Sequence, residues 1–269
     1  DKMEFYHHAL ELDLVDHAAV YYGKCADTWL REDSSAEYLR KCEKALEAER
    51  KRVQAYLQDQ TMKPLTRRIY NATLGKHQIA MLEKKSGLAY LLEEKDYDSL
   101  RRMYKLYRSY PKDLQPIADI FQREITRDGR ETLKNHENKK QDKNNLILQL
   151  LKLHKKYHNF TVTCFERHQV FQKAVRNAFE SFLNQTDNVS KLLATYVHSV
   201  LHKGTRETNP KEQLEQAVFL YSFIRDKDIF DHAYQATARS HLRLPLPPTS
   251  YLCSLRALDY PQNPFCHPS

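Results

Sequence analysis

Glycine is scarce in this chain, and proline is scarce through most of it. Only 5 of the 269 residues are glycine, which is well below the usual share of about 7%. Phosphate-binding loops, dinucleotide-binding turns and turn-rich β folds need glycine where the backbone takes positive φ or approaches a ligand. The first 244 residues contain only four prolines, each near a point where a helix would begin: Pro64, Pro111, Pro116 and Pro210. The composition therefore excludes these glycine-dependent folds and favours an all-α body.

Long apolar runs and paired cysteines are missing as well. No stretch approaches the roughly 18 consecutive apolar residues of a transmembrane helix, so we expect no membrane span. The 5 cysteines are odd in number, scattered, and never in a CxxC pair. This pattern is typical of a reducing compartment rather than a disulfide framework. We expect a protein of the cytoplasm, the nucleus or both.

The charge of the chain leaves one alternative function open. A net charge of +8 with a pI near 9.1 is compatible with a helical-repeat module that binds nucleic acid. Most basic residues, however, stand beside acidic ones, as in Glu43-Lys44 and Glu93-Glu94-Lys95. Interleaved charges are typical of solvated helix faces. We expect no specific nucleic-acid partner.

Apolar residues recur at three- and four-residue spacing along nearly the whole body, as amphipathic helices require. The clearest buried face comprises Phe171, Ala174, Val175, Ala178, Phe179, Phe182 and Leu183. A faint internal repeat predicts two multi-helix units, residues 1–134 and 146–241. Residues 135–145 are polar without a period and predict a linker. Residues 242–269 are rich in proline, and we expect a disordered tail.

Residues 191–239 contain the most informative pattern of the chain. Leu192, Leu193, Tyr196, Val200 and Leu201 predict one buried helix face, and Pro210 pre-sets the first φ of the next helix. That second helix would bury Leu214, Ala217, Val218, Tyr221 and Ile224. Asp226 then predicts the cap of a third helix, in which Phe230 and Tyr234 face inward.

This stretch resembles the end of the third repeat of a cullin. The resemblance rests on two patterns, LLAxY and YxxIxDKDxFxxxY, and its family-signature residues are Leu192, Leu193, Tyr196, Ile224, Asp226, Lys227, Asp228, Phe230 and Tyr234. The segments AEYLRKCEKALEAERKRVQAYL, SLRRMYKLY and PIADIFQREITRDG are similar to the family's second repeat, in forms closest to the plant-like class of F-box-containing ligases. The resemblance implies tandem cullin-type helical repeats that form an elongated rod.

The function implied by the resemblance is that of a non-catalytic scaffold segment in a cullin-RING (SCF-type) E3 ubiquitin ligase. Such a stalk holds a substrate receptor and a RING module apart in ubiquitin-dependent protein degradation. The implied partners are an adaptor with its F-box receptor, a RING-box protein and cullin regulators. Most of these bind regions that have no counterpart in this chain. The resemblance implies no cofactor and no catalytic residue.

Two residue pairs are candidates for chemistry. His154 and His158 stand four apart on a predicted helix, a spacing that could present two imidazoles to zinc, but no third ligand is evident. Asp226 and Asp228 could be paired carboxylates, yet positions two apart on a helix point to different faces. We interpret the histidines as amphipathic surface or half-buried residues, and the aspartates as a cap with favourable charge at a helix N-terminus.

Overall fold

The computed structural model describes residues 11–139, 143–185, 188–203 and 210–241. All regular structure in these residues is helical, which confirms the predicted all-α class. The helices are α1 Leu12–Glu32, α2 Ser35–Tyr56, α3 Met62–Tyr70, α4 Lys76–Leu82, α5 Leu88–Glu93, α6 Tyr97–Tyr107, α7 Leu114–Lys139, α8 Lys143–Thr163, α9 Gln169–Leu183, α10 Asn188–Lys203, α11 Pro210–Ser222 and α12 Lys227–His241. The proposed tail, 242–269, lies outside the described residues.

The described chain divides into two compact units. Unit 1 contains the residues up to 121 together with 160–170, and unit 2 contains 122–159 and the residues from 171 onward. The predicted boundary at 134 concerns sequence repeats rather than packing, so the assignment of 1–134 and 146–241 as two repeats stays a prediction.

Unit 1 is held together by the buried faces of α1 to α3. The side-chain oxygen of Ser34 accepts from the Glu37 N–H at 3.3 Å, which starts α2 as its sequence predicts. One core cluster of this unit consists of Val15, Tyr22, Ala45, Val53, Leu65 and Ile69. Burying a valine, leucine or isoleucine side chain of this cluster contributes about 1.5–3 kcal/mol relative to its exposure. Packing of apolar faces therefore stabilises these helices more than their intrinsic propensity does.

A π-helical turn, Asn71–Gly75, joins α3 to α4. Two fully buried tyrosines point their hydroxyls at this turn. The Tyr38 hydroxyl donates to the Thr73 carbonyl at 2.8 Å, and the Tyr107 hydroxyl donates to the Leu74 carbonyl at 3.2 Å. A π turn disturbs the regular i→i−4 ladder of an α-helix. The tyrosines supply donors where that ladder is altered, and they tie α2 and α6 to the turn.

In unit 2, the predicted apolar face of α9 is confirmed, because all seven of its residues are buried. Gly129 of α7 lies directly against the ring of Phe182, so that a Cβ there would overlap the aromatic carbons. The close approach of α7 and α9 therefore depends on a residue without a side chain.

The linker expected at 135–145 stays a prediction. Helix α7 extends to Lys139 and α8 begins at Lys143, and residues 140–142 lie outside the described residues. The lack of an apolar period in the sequence therefore did not mark a loop at residues 135–139 and 143–145. Helix α6 begins at Tyr97, and its N-cap residue Asp96 accepts from the Ser99 N–H at 3.0 Å.

Candidate functional site

The signature residues of α10 lie mainly on its buried side. Leu193 and Tyr196 are buried, as are Ala194, Val197 and Val200, whereas Leu192 is half-buried. Leu201, predicted to be buried, is 46% exposed. The buried face of the helix is thus displaced from the predicted stripe, away from Leu192 and Leu201 and toward Ala194 and Val197. Because α10 packs chiefly against α12, this face belongs to the contact between the two signature helices.

The second signature pattern follows a stripe displaced from the predicted one. In α11 and the turn after it, Ala217, Leu220, Phe223 and Ile224 are buried. Leu214, Val218 and Tyr221, which were expected inside, are only half-buried. The apolar stripe predicted for α11 lies beside the buried face that the structure shows, because the prediction did not include Leu220 and Phe223.

The charged part of the signature is exposed at the start of α12. The helix begins at Lys227, so that Asp226 occupies the N-cap position and Asp228 lies in the first turn, as predicted. Both aspartates are exposed, and no metal-binding group includes them among the described residues. Negative charge at a helix N-terminus is favourable because the backbone dipole is positive there. The Lys227 ammonium lies 5.2 Å from the ring centroid of Tyr221, a cation–π contact.

Aromatic rings fix the first turns of α12. Phe230 is buried, and its ring centroid lies 4.8 Å from that of Tyr221 and 6.2 Å from that of Tyr234. The ring of Tyr234 also meets that of His198 on α10, edge to face at 6.3 Å. The aromatic rings of the signature thus pack α10, α11 and α12 against one another.

Asn184, which the sequence analysis did not single out, connects α9 to the signature turn. Its amide nitrogen donates to the carbonyls of Glu180 at 2.8 Å and Phe223 at 2.9 Å, and its side-chain oxygen accepts from the Arg225 N–H at 2.8 Å. The two bonds to Phe223 and Arg225 hold the turn between α11 and α12 in place, and the bond to Glu180 fixes the side chain on the end of α9. The signal available in the sequence was an asparagine directly after the apolar face of α9, where a helix C-terminus needs such partners.

The two candidate histidines lie in an aromatic enclosure within unit 2. The imidazoles of His154 and His158 are stacked with centroids 5.6 Å apart. The His154 ring also meets Phe179 at 5.4 Å and Phe219 at 4.0 Å, with Phe223 at 6.3 Å. Burial, with a smaller contribution from the charge of His158, lowers the pKa of His154 from 6.5 to about 3. Chemically, this arrangement keeps an imidazole neutral at physiological pH.

Within the described ranges, no three His, Cys, Asp or Glu side chains form a group that could hold a metal ion. Among those same residues, no helix combines the length and apolar character needed to cross a bilayer.

Cations and carboxylates alternate on the surface of unit 1, as their interleaving in the sequence predicts. Glu43 of α2 accepts from the Arg102 Nε at 2.7 Å and from the Lys105 Nζ at 2.9 Å, both on α6. Burial raises the pKa of Glu43, but the two cationic partners outweigh it and lower the pKa below its usual value. With Arg40, Asp98 and other side chains, these residues line an open, highly charged groove between α2 and α6.

A family model, the cullin alpha solenoid domain, matches residues 1–238. The chain belongs to the cullin family. The match to this cullin runs from the first residues past the last signature residue, Tyr234, and stops before the segment 242–269. Cullin membership agrees with the all-α class and with the family predicted from the signature stretch.

Curated relatives come from plants and animals. The chain is 33% identical over 248 residues to "Putative cullin-like protein 1" of Arabidopsis thaliana, covering 87% of this chain and 34% of the relative. It is 33% identical over 213 residues to "Cullin-1" of Oryza sativa subsp. japonica, covering 72% of this chain and 29% of the relative. It is 29% identical over 237 residues to "Cullin-4A" of Homo sapiens, covering 87% of this chain and 30% of the relative. This cullin chain therefore spans about a third of the length of these relatives.

Proposed function

We propose that this cullin chain is a scaffold segment of a cullin-RING E3 ubiquitin ligase of the SCF type, and that it carries no catalytic residue of its own. The single observation that supports the proposal best is the cullin alpha solenoid match across residues 1–238. The scaffold segment acts by holding the other parts of the ligase in position. A stiff stalk keeps a substrate receptor and a RING module at a fixed separation, so the ubiquitin donor meets the substrate at high effective concentration.

The stiffness of this stalk comes from continuous core packing within each unit. The aromatic contacts of α12 join it to α11, and the bonds of Asn184 join α9 to the turn between α11 and α12. The apolar face of α9 is buried along its whole length. In helical repeats, such neighbour contacts determine stability and curvature. We propose that 1–134 and 146–241 are the second and third cullin repeats, and that they form an elongated rod.

Small-angle X-ray scattering tests the rod. A compact chain of this length would have a radius of gyration of about 18 Å. We expect a clearly larger value with an asymmetric distribution of interatomic distances. A value near that of a compact sphere would reject the rod.

A chimera tests the scaffold function. Residues 1–238 replace the matching segment of rice Cullin-1. Ubiquitination of a receptor-bound substrate is then measured with the adaptor, F-box receptor and RING-box protein that serve the parent Cullin-1. We expect activity within a few-fold of the parent. A matched chimera with a flexible Gly/Ser insertion between α5 and α6, at Glu94–Lys95, should still bind both modules but lose most activity, because a loose stalk lowers the effective concentration.

The assignment to the F-box class is tested with a second host. The same segment is placed in human Cullin-4A, and each chimera is compared with its own parent. We expect retention of a larger fraction of activity in the Cullin-1 host. Equal or better performance in the Cullin-4A host would reject the F-box, plant-like assignment, and a folded but inactive chimera in both hosts would reject the scaffold proposal.

We propose that the partners of the complete protein are an adaptor with its F-box receptor, a RING-box protein and cullin regulators, in the cytoplasm, the nucleus or both. The alternative, a helical-repeat module that binds nucleic acid, is not favoured by the cullin membership. Binding to arbitrary RNA or DNA that weakens steeply with salt would support that alternative instead.

A further inference from the structure

The groove between α2 and α6 holds more hydrogen-bond donors than the protein itself uses. Its cations are Arg40 on α2 and Arg101, Arg102 and Lys105 on α6. An arginine carries five N–H donors and a lysine carries three. Within the part of the chain that the structure describes, Arg40, Arg102 and Lys105 each donate a single hydrogen bond, and the acceptor for Arg40, Glu37, lies outside the lining. Most donors of these side chains are therefore available to a ligand.

Arg102 is oriented by the protein itself. Its side chain is 23% exposed, and its Nε donates to Oε2 of Glu43 at 2.7 Å. The Lys105 Nζ donates to the other oxygen of the same carboxylate at 2.9 Å. The two terminal nitrogens of Arg102 have no acceptor among the described residues, so its planar fork can make a bidentate contact with an anion. A side chain that is already ordered loses less conformational entropy on binding.

The acids of the groove orient its cations and leave the charge of the lining positive. The lining contains four cations and three carboxylates. Both oxygens of Glu43 accept from cations, and Asp96 accepts from the Ser99 N–H as the cap of α6. Asp98 pairs with Arg101 at 3.2 Å, and its side chain is 84% exposed, so solvent and salt screen its charge. An anion in the groove therefore meets an excess of positive charge.

Two helix N-termini open on the same groove. Ala36 lines it from the first turn of α2, and Ser99 lines it from the first turn of α6. The first N–H groups of a helix lack intrahelical acceptors, and the helix dipole is positive at that end. Phosphate groups are favoured at such positions. The methyl side chain of Ala36 leaves the approach to the first turn of α2 open.

We propose that the groove between α2 and α6 binds a phosphate group, held by the fork of Arg102 and by Arg40 and Lys105 beside the two helix N-termini. A phosphate near neutral pH carries almost two negative charges and presents three strongly accepting oxygens, which matches several cations that converge from two helices. Inorganic phosphate and a phosphorylated serine of a partner protein present this same group. The inference is independent of the ligase function proposed above.

Amide NMR titration of the complete 269-residue chain at constant ionic strength tests the site. Inorganic phosphate, a blocked phosphoserine tripeptide and the matching aspartate tripeptide are compared. We expect saturable shifts of the Ala36 and Ser99 amides with both phosphate probes and far weaker shifts with aspartate. Tighter binding of the phosphopeptide would identify a partner-borne phosphate, and tighter binding of inorganic phosphate a free one. No saturable shift with either phosphate probe, or aspartate binding as tight as phosphoserine, overturns the proposal.

Variants separate the site from general attraction to a basic chain. Arg102→Gln should weaken phosphate binding by about tenfold or more, because it removes charge-assisted hydrogen bonds. Arg102→Lys keeps the charge but loses the fork, and it should still weaken binding several-fold. Arg40→Gln leaves the contacts of Glu43 intact, so it tests the site even if the Arg102 variants fold poorly. Arg50→Gln is the matched control, because Arg50 is exposed on α2 outside the groove. Equal losses in Arg40→Gln and Arg50→Gln would overturn the proposal.

Discussion

The stability of unit 2 should fall in mild acid because of His154. Its imidazole is enclosed by Phe179, Phe219 and Phe223. Among the residues that the structure describes, His158 is the one titratable group that contributes to the lowered pKa of His154. Protonation therefore places a charge among aromatic rings without pairing it to a carboxylate of the described residues. The pKa is lowered on folding, from 6.5 to about 3. This contribution to stability is accordingly complete above pH 6.5 and is lost as the pH falls toward 3.

The magnitude follows from the linkage between protonation and folding. Each unit of pKa difference corresponds to about 1.4 kcal/mol. At pH 5, which lies 1.5 units below the unfolded pKa of 6.5, the loss is about 2 kcal/mol. A typical domain has a free energy of unfolding of about 5–15 kcal/mol, so this loss is large enough to measure.

The assay is urea unfolding at pH 7.5 and pH 5.0, followed by far-ultraviolet circular dichroism. Helical content reports on both units, whereas fluorescence of the single tryptophan, Trp29, reports on unit 1. Following both signals separates the unfolding of unit 2 from that of unit 1. His154→Phe removes the titrating ring and keeps an aromatic in the enclosure. We expect it to reduce the difference between the two pH values by about 2 kcal/mol. His17→Gln, at an exposed position of α1, serves as the control. An unchanged pH difference in His154→Phe, or a His154 imidazole that titrates near 6.5 by NMR, would refute the reasoning.

Three further substitutions test the packing. Gly129→Ala should lower the free energy of unfolding by about 1–3 kcal/mol, because its Cβ overlaps the ring of Phe182; adding Phe182→Leu should recover part of the loss in chemical denaturation. Asn184→Ala should cost about 2–3 kcal/mol, since it leaves backbone groups at the end of α11 without partners; faster amide hydrogen exchange at Arg225 would verify the local cause, and unchanged exchange would contradict it. Tyr38→Phe should lower the free energy of unfolding by about 1–3 kcal/mol, because it removes the hydroxyl that donates to the Thr73 carbonyl. A thermal melting temperature equal to that of the parent would argue against a role for this bond.

Helix faces could be predicted from the sequence wherever packing follows a single apolar period. The face of α9 agrees residue by residue, because phenylalanine and alanine at three- and four-residue spacing leave one possible inward side. In α11 several neighbouring rows are apolar, so the pattern did not determine which row faces inward. Phe223, with its place against Phe179 and His154, became visible only in the packed structure.

Other features could not be predicted because they depend on partners distant in the chain. The bonds of Asn184 reach 39 and 41 residues along the sequence, and no local pattern records such partners. Residues 135–139 lack an apolar stripe and still continue α7. Cullin membership was predictable from the signature stretch. The roles of the exposed Asp226, Lys227 and Asp228 stay a prediction, since packing alone does not explain exposed charges.

The π turn between α3 and α4 absorbs one residue without changing the faces that the two helices present. Successive residues of a regular helix are about 100° apart around the axis, and a π turn accommodates one residue more than an α turn. Deleting one residue, for example Ala72, would therefore let the helix continue as a regular α-helix with α3 and α4 in their present phase. Met81 and Leu82 would stay in the core, and Ile79 would stay 52% exposed. The deletion would remove the altered turn whose carbonyls accept from Tyr38 and Tyr107, so in this segment the extra residue serves the hydrogen bonds of the turn rather than the direction of the helix.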